Sequence, residues 1–118
     1  MLRHDGFTLI ELIIVTVTIA VLAAVLIPNI IVSRQRAFDA QTQACLKEIS
    51  TAQAIYHISN QTYATPLNNM PDFPEATCRN VDIATVNVDN ITFEYTASHI
   101  NSNRVFSVTT RDGVDVVP

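Results

Sequence analysis

Gly6-Phe7-Thr8-Leu9-Ile10-Glu11 opens an apolar run that reaches Pro28 and continues to Val32, and how it is read decides the fold. Between Phe7 and Val32 the only charged side chain is Glu11. Leu, Ile, Val and Ala surround the helix such a run would form, with Thr16 and Thr18 as the polar exceptions ahead of Pro28. At a rise of about 1.5 Å per residue the stretch spans roughly 39 Å, more than the ~30 Å hydrocarbon core of a bilayer. The segment can therefore cross a membrane. A threonine can return its hydroxyl to a carbonyl one turn back, so Thr16 and Thr18 are tolerated in lipid. A carboxylate costs roughly 2.5–3.5 kcal/mol at the centre of such a helix and less toward its end. A charge kept there implies something positive to pair with it.

The rest of the composition sets bounds. Of 118 residues 48 % are apolar and 15 % charged, but the two halves differ. After Ser33 the chain is polar and rich in Thr, Asn and Asp. One apolar rod is followed by one soluble head. A head of under about ninety residues has a marginal core unless a staple or a partner supports it. The net charge is −4 and the seven Lys and Arg are scattered, so no dense basic stripe for nucleic acid is present. Only weak DNA contact, repeated along a polymer, fits that distribution. The chain has two glycines, Gly6 and Gly113. A phosphate-cradling loop needs several, so neither a P-loop nor a dinucleotide fingerprint can be written. No cofactor is expected. No Ser-His-Asp or Cys-His spacing suggests a catalytic group, and the chain is not read as an enzyme.

An ordinary secretory signal is the first rival reading, with Val21-Leu22-Ala23 as its cleavage site. Glu11 would then lie inside the apolar region, where a charge opposes insertion. Orientation is not decided by flanking charge, since Arg3 stands at one end and Arg34 and Arg36 at the other.

Gly6-Phe7-Thr8-Leu9-Ile10-Glu11, the apolar run behind it and Pro28-Asn29 resemble the class III signal of type IV pilins and type II secretion pseudopilins. The match covers about the first thirty residues; the remainder is similar in layout. The resemblance implies that a prepilin peptidase cuts after Gly6 on the cytoplasmic side and that the new amino-terminus at Phe7 is methylated. Residues 1–6 would be a leader, 7–32 the membrane-spanning and assembly half of the helix, and 33–118 the head. Glycine at the scissile bond has no side chain to obstruct a protease. Cleavage leaves a cationic amine on Phe7, four residues from Glu11. In a bundle of such helices the Glu11 carboxylate can meet the Phe7 amine of a neighbour. A lone carboxylate in apolar surroundings is penalised. Removing one partner of a buried pair costs about 3–5 kcal/mol, so the pair favours axial register in a filament. Pro28 lacks an N–H and crowds the carbonyl of Ala24, which predicts a kink or loosening there. Relatives often melt near the matching proline and carry a glycine upstream. Ala20 to Ala24 holds none.

No break signal follows Ser33, so the helix is expected to continue to about Ile58. Phe38, Thr42, Cys45, Ile49, Ala52 and Tyr56 alternate in steps of four and three and share one face. Asp39, Gln43, Lys47 and Gln53 are assigned to the opposite, polar side. Ser59 to Thr62 ends the helix. Tyr63 to Cys78, with Pro66, Pro71 and Pro74, reads as a loop; such loops form outer surface in the family. Strands follow at Val81–Val88, at Ile91 to Ala97, at Val105–Thr110 and at Val114–Val117, with turns at Asp89-Asn90, Asn101-Ser102-Asn103 and Asp112-Gly113. The expected fold class is α+β: a long helix packed on a small antiparallel sheet of three or four strands, similar to the pilin fold.

Cys45 and Cys78 would both lie outside the cytoplasm, where a disulfide persists, and their bridge is worth roughly 3–4 kcal/mol on the chain-entropy model. That bridge departs from the usual pilin one, which encloses a C-terminal region, so the family's adhesive loop is not carried over. His57 and His99 show no metal-ligand spacing with the cysteines. The calcium loop of major pseudopilins has no counterpart near the C-terminus. Asn60-Gln61-Thr62 and Asn90-Ile91-Thr92 fit an N-glycosylation pattern common by chance in such a head. The resemblance implies a structural subunit of a type IV pilus serving twitching, adhesion or DNA uptake. It would be held in the inner membrane by a single span, then polymerised into a surface filament by an assembly platform and its ATPase. Its partners would be copies of itself and that machinery. The alternative is a type II secretion or competence pseudopilin forming a short periplasmic filament.

Overall fold

A computed structural model describes residues 6–65 and 67–118. The leader reading, Gly6 apart, and Pro66 fall outside the described residues. The chain divides into two units, Met1–Arg34 and Gln35–Pro118. One helix, α1, runs from Leu9 to Asn60, with Pro28 inside it. Thr8 precedes it and Glu11 lies in its first turn. Its C-terminus is closed by Gln61, whose φ of 57° is left-handed and whose N–H donates to the His57 carbonyl at 2.8 Å. That is an αL cap built without glycine.

Four strands follow in a meander: β1 (Val81–Val88), β2 (Phe93–His99), β3 (Val105–Thr109) and β4 (Val114–Val116). All neighbours are antiparallel in the order β1-β2-β3-β4. The alternation read from the sequence appears most clearly in β2, where Phe93, Tyr95, Ala97 and His99 point inward and Glu94, Thr96 and Ser98 outward. Ile91 was expected to begin this strand. It lies instead in the turn, 80 % exposed, because Asp89 N–H donates to the Thr92 carbonyl at 2.7 Å and closes the turn around it. A bulge between Thr85 and Asn87 shifts the β1–β2 register and leaves Val86 exposed. The hairpin at Asp112-Gly113 forms, yet Gly113 does not use a positive φ.

The core of the second unit joins Cys45, Leu46 and Ile49 of α1 to Tyr95 and Ala97 of β2 and Phe106 and Val108 of β3. Each large apolar side chain so enclosed contributes about 1.5–3 kcal/mol. The loop from Tyr63 to Cys78 adds Ala64, Leu67 and Met70 from beneath, with a short 3-10 turn at Leu67–Asn69. The helical stripe read from the sequence is buried at Thr42, Cys45, Ile49 and Ala52 and half-buried at Phe38 and Tyr56.

The assignment of Asp39 and Gln53 to the polar side of α1 is overturned, since both are buried. Asp39, Leu46 and Gln53 recur every seven residues and form one more row beside the stripe, so the covered face is wider than two positions per heptad. Each polar member is satisfied. Asp39 accepts from the Ser102 hydroxyl at 2.6 Å and pairs with Arg104 at 3.4 Å. Gln53 accepts the Ala64 N–H at 2.8 Å, donates to the Ala64 carbonyl at 3.0 Å and reaches the Tyr95 hydroxyl at 2.6 Å. The Tyr95 hydroxyl in turn donates to the same carbonyl at 3.0 Å. Burial pushes the Tyr95 phenol above its ordinary range, and the Gln53 bond offsets part of that.

Candidate functional site

The chemistry anticipated from the sequence lies at the start of α1. Gly6 and Phe7 are non-helical and exposed, Phe7 at 85 %, and a Cβ placed on Gly6 would meet no atom of the described residues within 4 Å. The helix begins because Thr8 can serve as its N-cap. Its side-chain oxygen accepts the Glu11 N–H at 3.4 Å, while the Glu11 carboxylate accepts the Thr8 N–H at 2.9 Å and the Thr8 hydroxyl at 2.8 Å. Two donors that the first turn would leave unpaired are satisfied reciprocally, which is a capping box. The negative charge also faces the positive end of the helix dipole.

Thr8 is the residue that sequence reading missed. Thr8 and Glu11 stand at the Thr-x-x-Glu spacing of a capping box, immediately ahead of an apolar run. That spacing is a local signal, masked in the sequence by the lone charge that the same glutamate brings to an apolar run. Among the described residues Glu11 is engaged by Thr8 through two donors, its N–H and its hydroxyl. All three contacts lie beyond Gly6, so they are independent of residues 1–6.

From Leu9 to Val32 every Leu, Ile and Val is open, from 76 % exposed at Leu9 to 44 % at Val32. The helix is long and apolar enough to cross a membrane. Thr16 donates to the Leu12 carbonyl at 3.0 Å and Thr18 to the Val15 carbonyl at 2.8 Å, the back-bonding expected of them. Pro28 sits within the helix as assigned, with residues on both sides helical.

In the second unit Cys45 and Cys78 form a disulfide across 33 residues of sequence, tying α1 to the loop before β1. Both histidines are engaged in packing. His99 is buried, stacks on Phe38 with ring centroids 4.4 Å apart, and its Nδ1 accepts the Asn101 N–H at 3.1 Å. His57 stacks on Tyr63 and its Nε2 lies 3.1 Å from the Asn90 carbonyl. Among the described residues no three His, Cys, Asp or Glu side chains converge as metal ligands do. The Asn60 amide donates to the Tyr56 carbonyl and the Asn90 side chain accepts from Thr62.

No protein-family model matches the chain. Individual relatives do. It is 36 % identical over 115 residues to the type IV wide pilus major component PilA4 of Thermus thermophilus, covering 97 % of this chain and 88 % of that protein. It is 38 % identical over 73 residues to the type IV major pilin protein PilA of Myxococcus xanthus, covering 62 % of this chain and only 33 % of that longer protein. It is 30 % identical over 74 residues to the type II secretion system core protein G of Escherichia coli, covering 63 % of this chain and 51 % of that protein. These names describe components of pili and of a secretion system. With an apolar N-terminal helix, a meander of four antiparallel strands packed on its later turns, and a pilus component aligned along nearly all of its length, the chain belongs to the type IV pilin family.

Proposed function

We propose that this chain is a structural subunit of a type IV pilus. The observation that carries the reading is the uninterrupted exposure of the Leu, Ile and Val side chains from Leu9 to Val32. Such a surface is stable only in lipid or against similar surfaces, and a pilin uses both in turn. Before assembly, residues 7–32 hold the chain in the inner membrane as a single span. Prepilin peptidase removes residues 1–6 by cutting between Gly6 and Phe7, and Phe7 is then methylated. An assembly platform driven by its own ATPase draws the subunit out, and the apolar helices pack together along the filament axis. At about 25 cal/mol per Å² this burial supplies most of the cohesion.

During that transfer the Glu11 carboxylate passes from its Thr8 cap to the Phe7 amine of an adjacent copy, fixing axial register. Pro28 supplies a point at which the helix bends. Residues 33–118 form the exposed head, and the Cys45–Cys78 bridge steadies it. The pseudopilin reading draws on the relatives named core protein G, which align over about half of their own length. The alignment with a pilus component spans 97 % of this chain, and this favours the pilus.

Mass spectrometry of the mature N-terminus tests the reading directly. The expected product begins at Phe7 and is about 14 Da heavier for one methyl group. A chain that keeps residues 1–6, or one that begins near Ala24, would overturn it. Deletion of the gene should remove long surface filaments; a secretion defect with filaments intact would move the chain to the pseudopilins.

A further inference from the structure

Two Asn-x-Thr triplets stand in the second unit, Asn60-Gln61-Thr62 and Asn90-Ile91-Thr92. The pattern arises by chance in a head rich in Asn and Thr, so geometry has to separate an acceptor of sugar from a coincidence. An acceptor asparagine lies in exposed loop and carries a hydroxyl two residues on. Its amide nitrogen must also be free to form the new bond.

The two triplets meet in space and differ on each count. Asn60 is the last residue of α1, and its Nδ2 donates to the Tyr56 carbonyl at 3.0 Å. Gln61 is the left-handed cap of that helix, with a φ of 57°. The Thr62 hydroxyl, on a half-buried residue, donates to Oδ1 of Asn90 at 3.1 Å. The amide nitrogen and the hydroxyl of the first triplet are therefore both engaged, and its backbone closes a helix.

In the second triplet Asn90, Ile91 and Thr92 are all exposed. The Asp89 N–H donates to the Thr92 carbonyl at 2.7 Å and folds the chain tightly around Asn90 and Ile91. His57 Nε2 lies 3.1 Å from the Asn90 carbonyl, and Thr62 holds the Asn90 Oδ1. Both anchors grip oxygens of Asn90. Among the described residues no hydrogen bond engages its Nδ2 or the Thr92 hydroxyl. The turn is thus held still while the one atom that forms an N-glycosidic bond faces solvent.

A second observation falls at the same place. Ile91 at the tip is 80 % exposed, and Ile58, next to His57 in the last turn of α1, is 76 % exposed. Turn tips ordinarily take Asn, Asp, Gly or Ser, which satisfy the local backbone. An isoleucine there adds nothing to the turn and leaves apolar surface in water. A sugar attached one residue away brings C–H faces that cover it and hydroxyls that keep the tip soluble.

We infer that Asn90 is the attachment site of an N-linked glycan and that Asn60 is not. The inference rests on the pilus reading, on which residues 33–118 lie outside the cytoplasm, and it goes beyond that reading. The donor class is a sugar chain on a polyprenyl diphosphate of the same membrane. Asn90 Nδ2 forms a C–N bond to the anomeric carbon, and the C–O bond from that carbon to the diphosphate breaks. The lipid diphosphate leaves with the electron pair, and the amide proton passes to a base of the transferase. Nothing is oxidised or reduced.

Mass spectrometry of subunits from membranes and from sheared filaments of the cells that make them tests it. After reduction of the disulfide, cleavage at Lys and Arg puts Asn60 and Asn90 on different peptides, 48–79 and 80–104. Peptide 80–104 should exceed its sequence mass by whole sugar residues, and peptide 48–79 should not. Asn90→Asp keeps an oxygen for Thr62 but offers no amide nitrogen, and should abolish the excess. Asn60→Asp should leave it unchanged. Thr92→Val should abolish it and Thr92→Ser should retain it, a split that a merely structural role of the turn does not produce. Sugar on 48–79, a bare 80–104 in the unaltered chain, or an excess that survives Asn90→Asp would each overturn the inference. The N-terminal peptide of the same sample keeps the two readings apart. A chain that begins at Phe7 with a bare 80–104 sinks this inference alone, and one that keeps residues 1–6 with a bare 80–104 sinks both.

Discussion

The stretch of α1 from Leu9 to Val32 and the stretch from Phe38 to Tyr56 share one backbone conformation for opposite reasons. The first is apolar all round and stays open in its own unit. The second is amphipathic and buries Asp39, Thr42, Cys45, Leu46, Ile49, Ala52 and Gln53. Its partner, the sheet, is supplied by the same chain. On the pilus reading proposed above, the partner of the first stretch comes from lipid or from other copies. Rich in Ile and Val, it is only a moderate helix former by intrinsic propensity, and in a bilayer the demand that every backbone group be bonded decides its conformation. A helix in a chain of this family can thus be stable for reasons internal to the chain at one end and external to it at the other. Substitutions in the two stretches should report on different equilibria.

The largest expected effect separates them most sharply. Glu11→Ala should leave removal of residues 1–6 and the melting of the head unchanged, yet lower filament yield by two or more orders of magnitude. That follows if loss of one partner from a buried pair costs about 3–5 kcal/mol per subunit. Electron microscopy of sheared filaments beside a thermal melt reads both sides, and normal filaments would remove the pairing argument. The converse is Cys45→Ser with Cys78→Ser. Here the head should lose roughly 3–4 kcal/mol, a fall of more than about 10 °C in Tm for a unit this small. Insertion of residues 7–32 into membrane should be unaffected. A head whose melt ignores both the substitution and reductant would show that the bridge adds nothing to the core.

Periodicity made the two stretches legible, because an all-round apolar pattern and a one-sided one are distinct in sequence. The strands were readable for the same reason, and β1 falls at Val81–Val88 as its β-branched run suggested. What escaped was the partner of each polar side chain. Gln53 looks like a surface residue on a helical wheel. Its burial depends on Ala64 and Tyr95, 11 and 42 residues away in sequence, and no local pattern encodes that meeting. Asp39 is similar, waiting on Ser102 at a separation of 63. Ile91 was misplaced because hydrophobicity alone drew it into a strand, when the Asp89–Thr92 turn had already claimed it. The Thr8–Glu11 box was the opposite case, wholly local and legible, but hidden behind the more conspicuous charge.

The Gln53–Ala64–Tyr95 cluster sharpens the comparison at intermediate magnitude. Gln53→Leu keeps the volume but leaves the Ala64 N–H without its acceptor, so a loss of about 1–3 kcal/mol is expected in a urea titration of the head. Tyr95 adds a pH signature. Its folded-state pKa is raised above the ordinary 10.0 by burial, so the folded head holds that proton more tightly than the unfolded chain. The associated stability is complete below the unfolded pKa and is lost as pH rises from there through the folded value. The head should therefore weaken above about pH 10, and Tyr95→Phe should remove that part of the alkaline slope. An unchanged slope in Tyr95→Phe would assign the alkaline loss to other groups.

The smallest effect falls on the first turn of α1 and asks whether Glu11 depends on Thr8 before it meets a neighbour. Thr8→Val removes the hydroxyl that donates to Glu11 at 2.8 Å and accepts its N–H at 3.4 Å, but keeps the backbone donor at 2.9 Å. Loss of an N-cap side chain costs about 1 kcal/mol, so assembly should slow several-fold and not stop. Thr8→Ser retains both hydroxyl contacts and should behave as the unaltered chain. The two substitutions differ little in membrane insertion, since both are uncharged and lie at the end of the span. A defect in Thr8→Val that Thr8→Ser repairs would therefore come from the hydroxyl and its hold on Glu11. A defect in Thr8→Ser with none in Thr8→Val would mean that bulk at position 8, and not the capping box, matters to the growing filament.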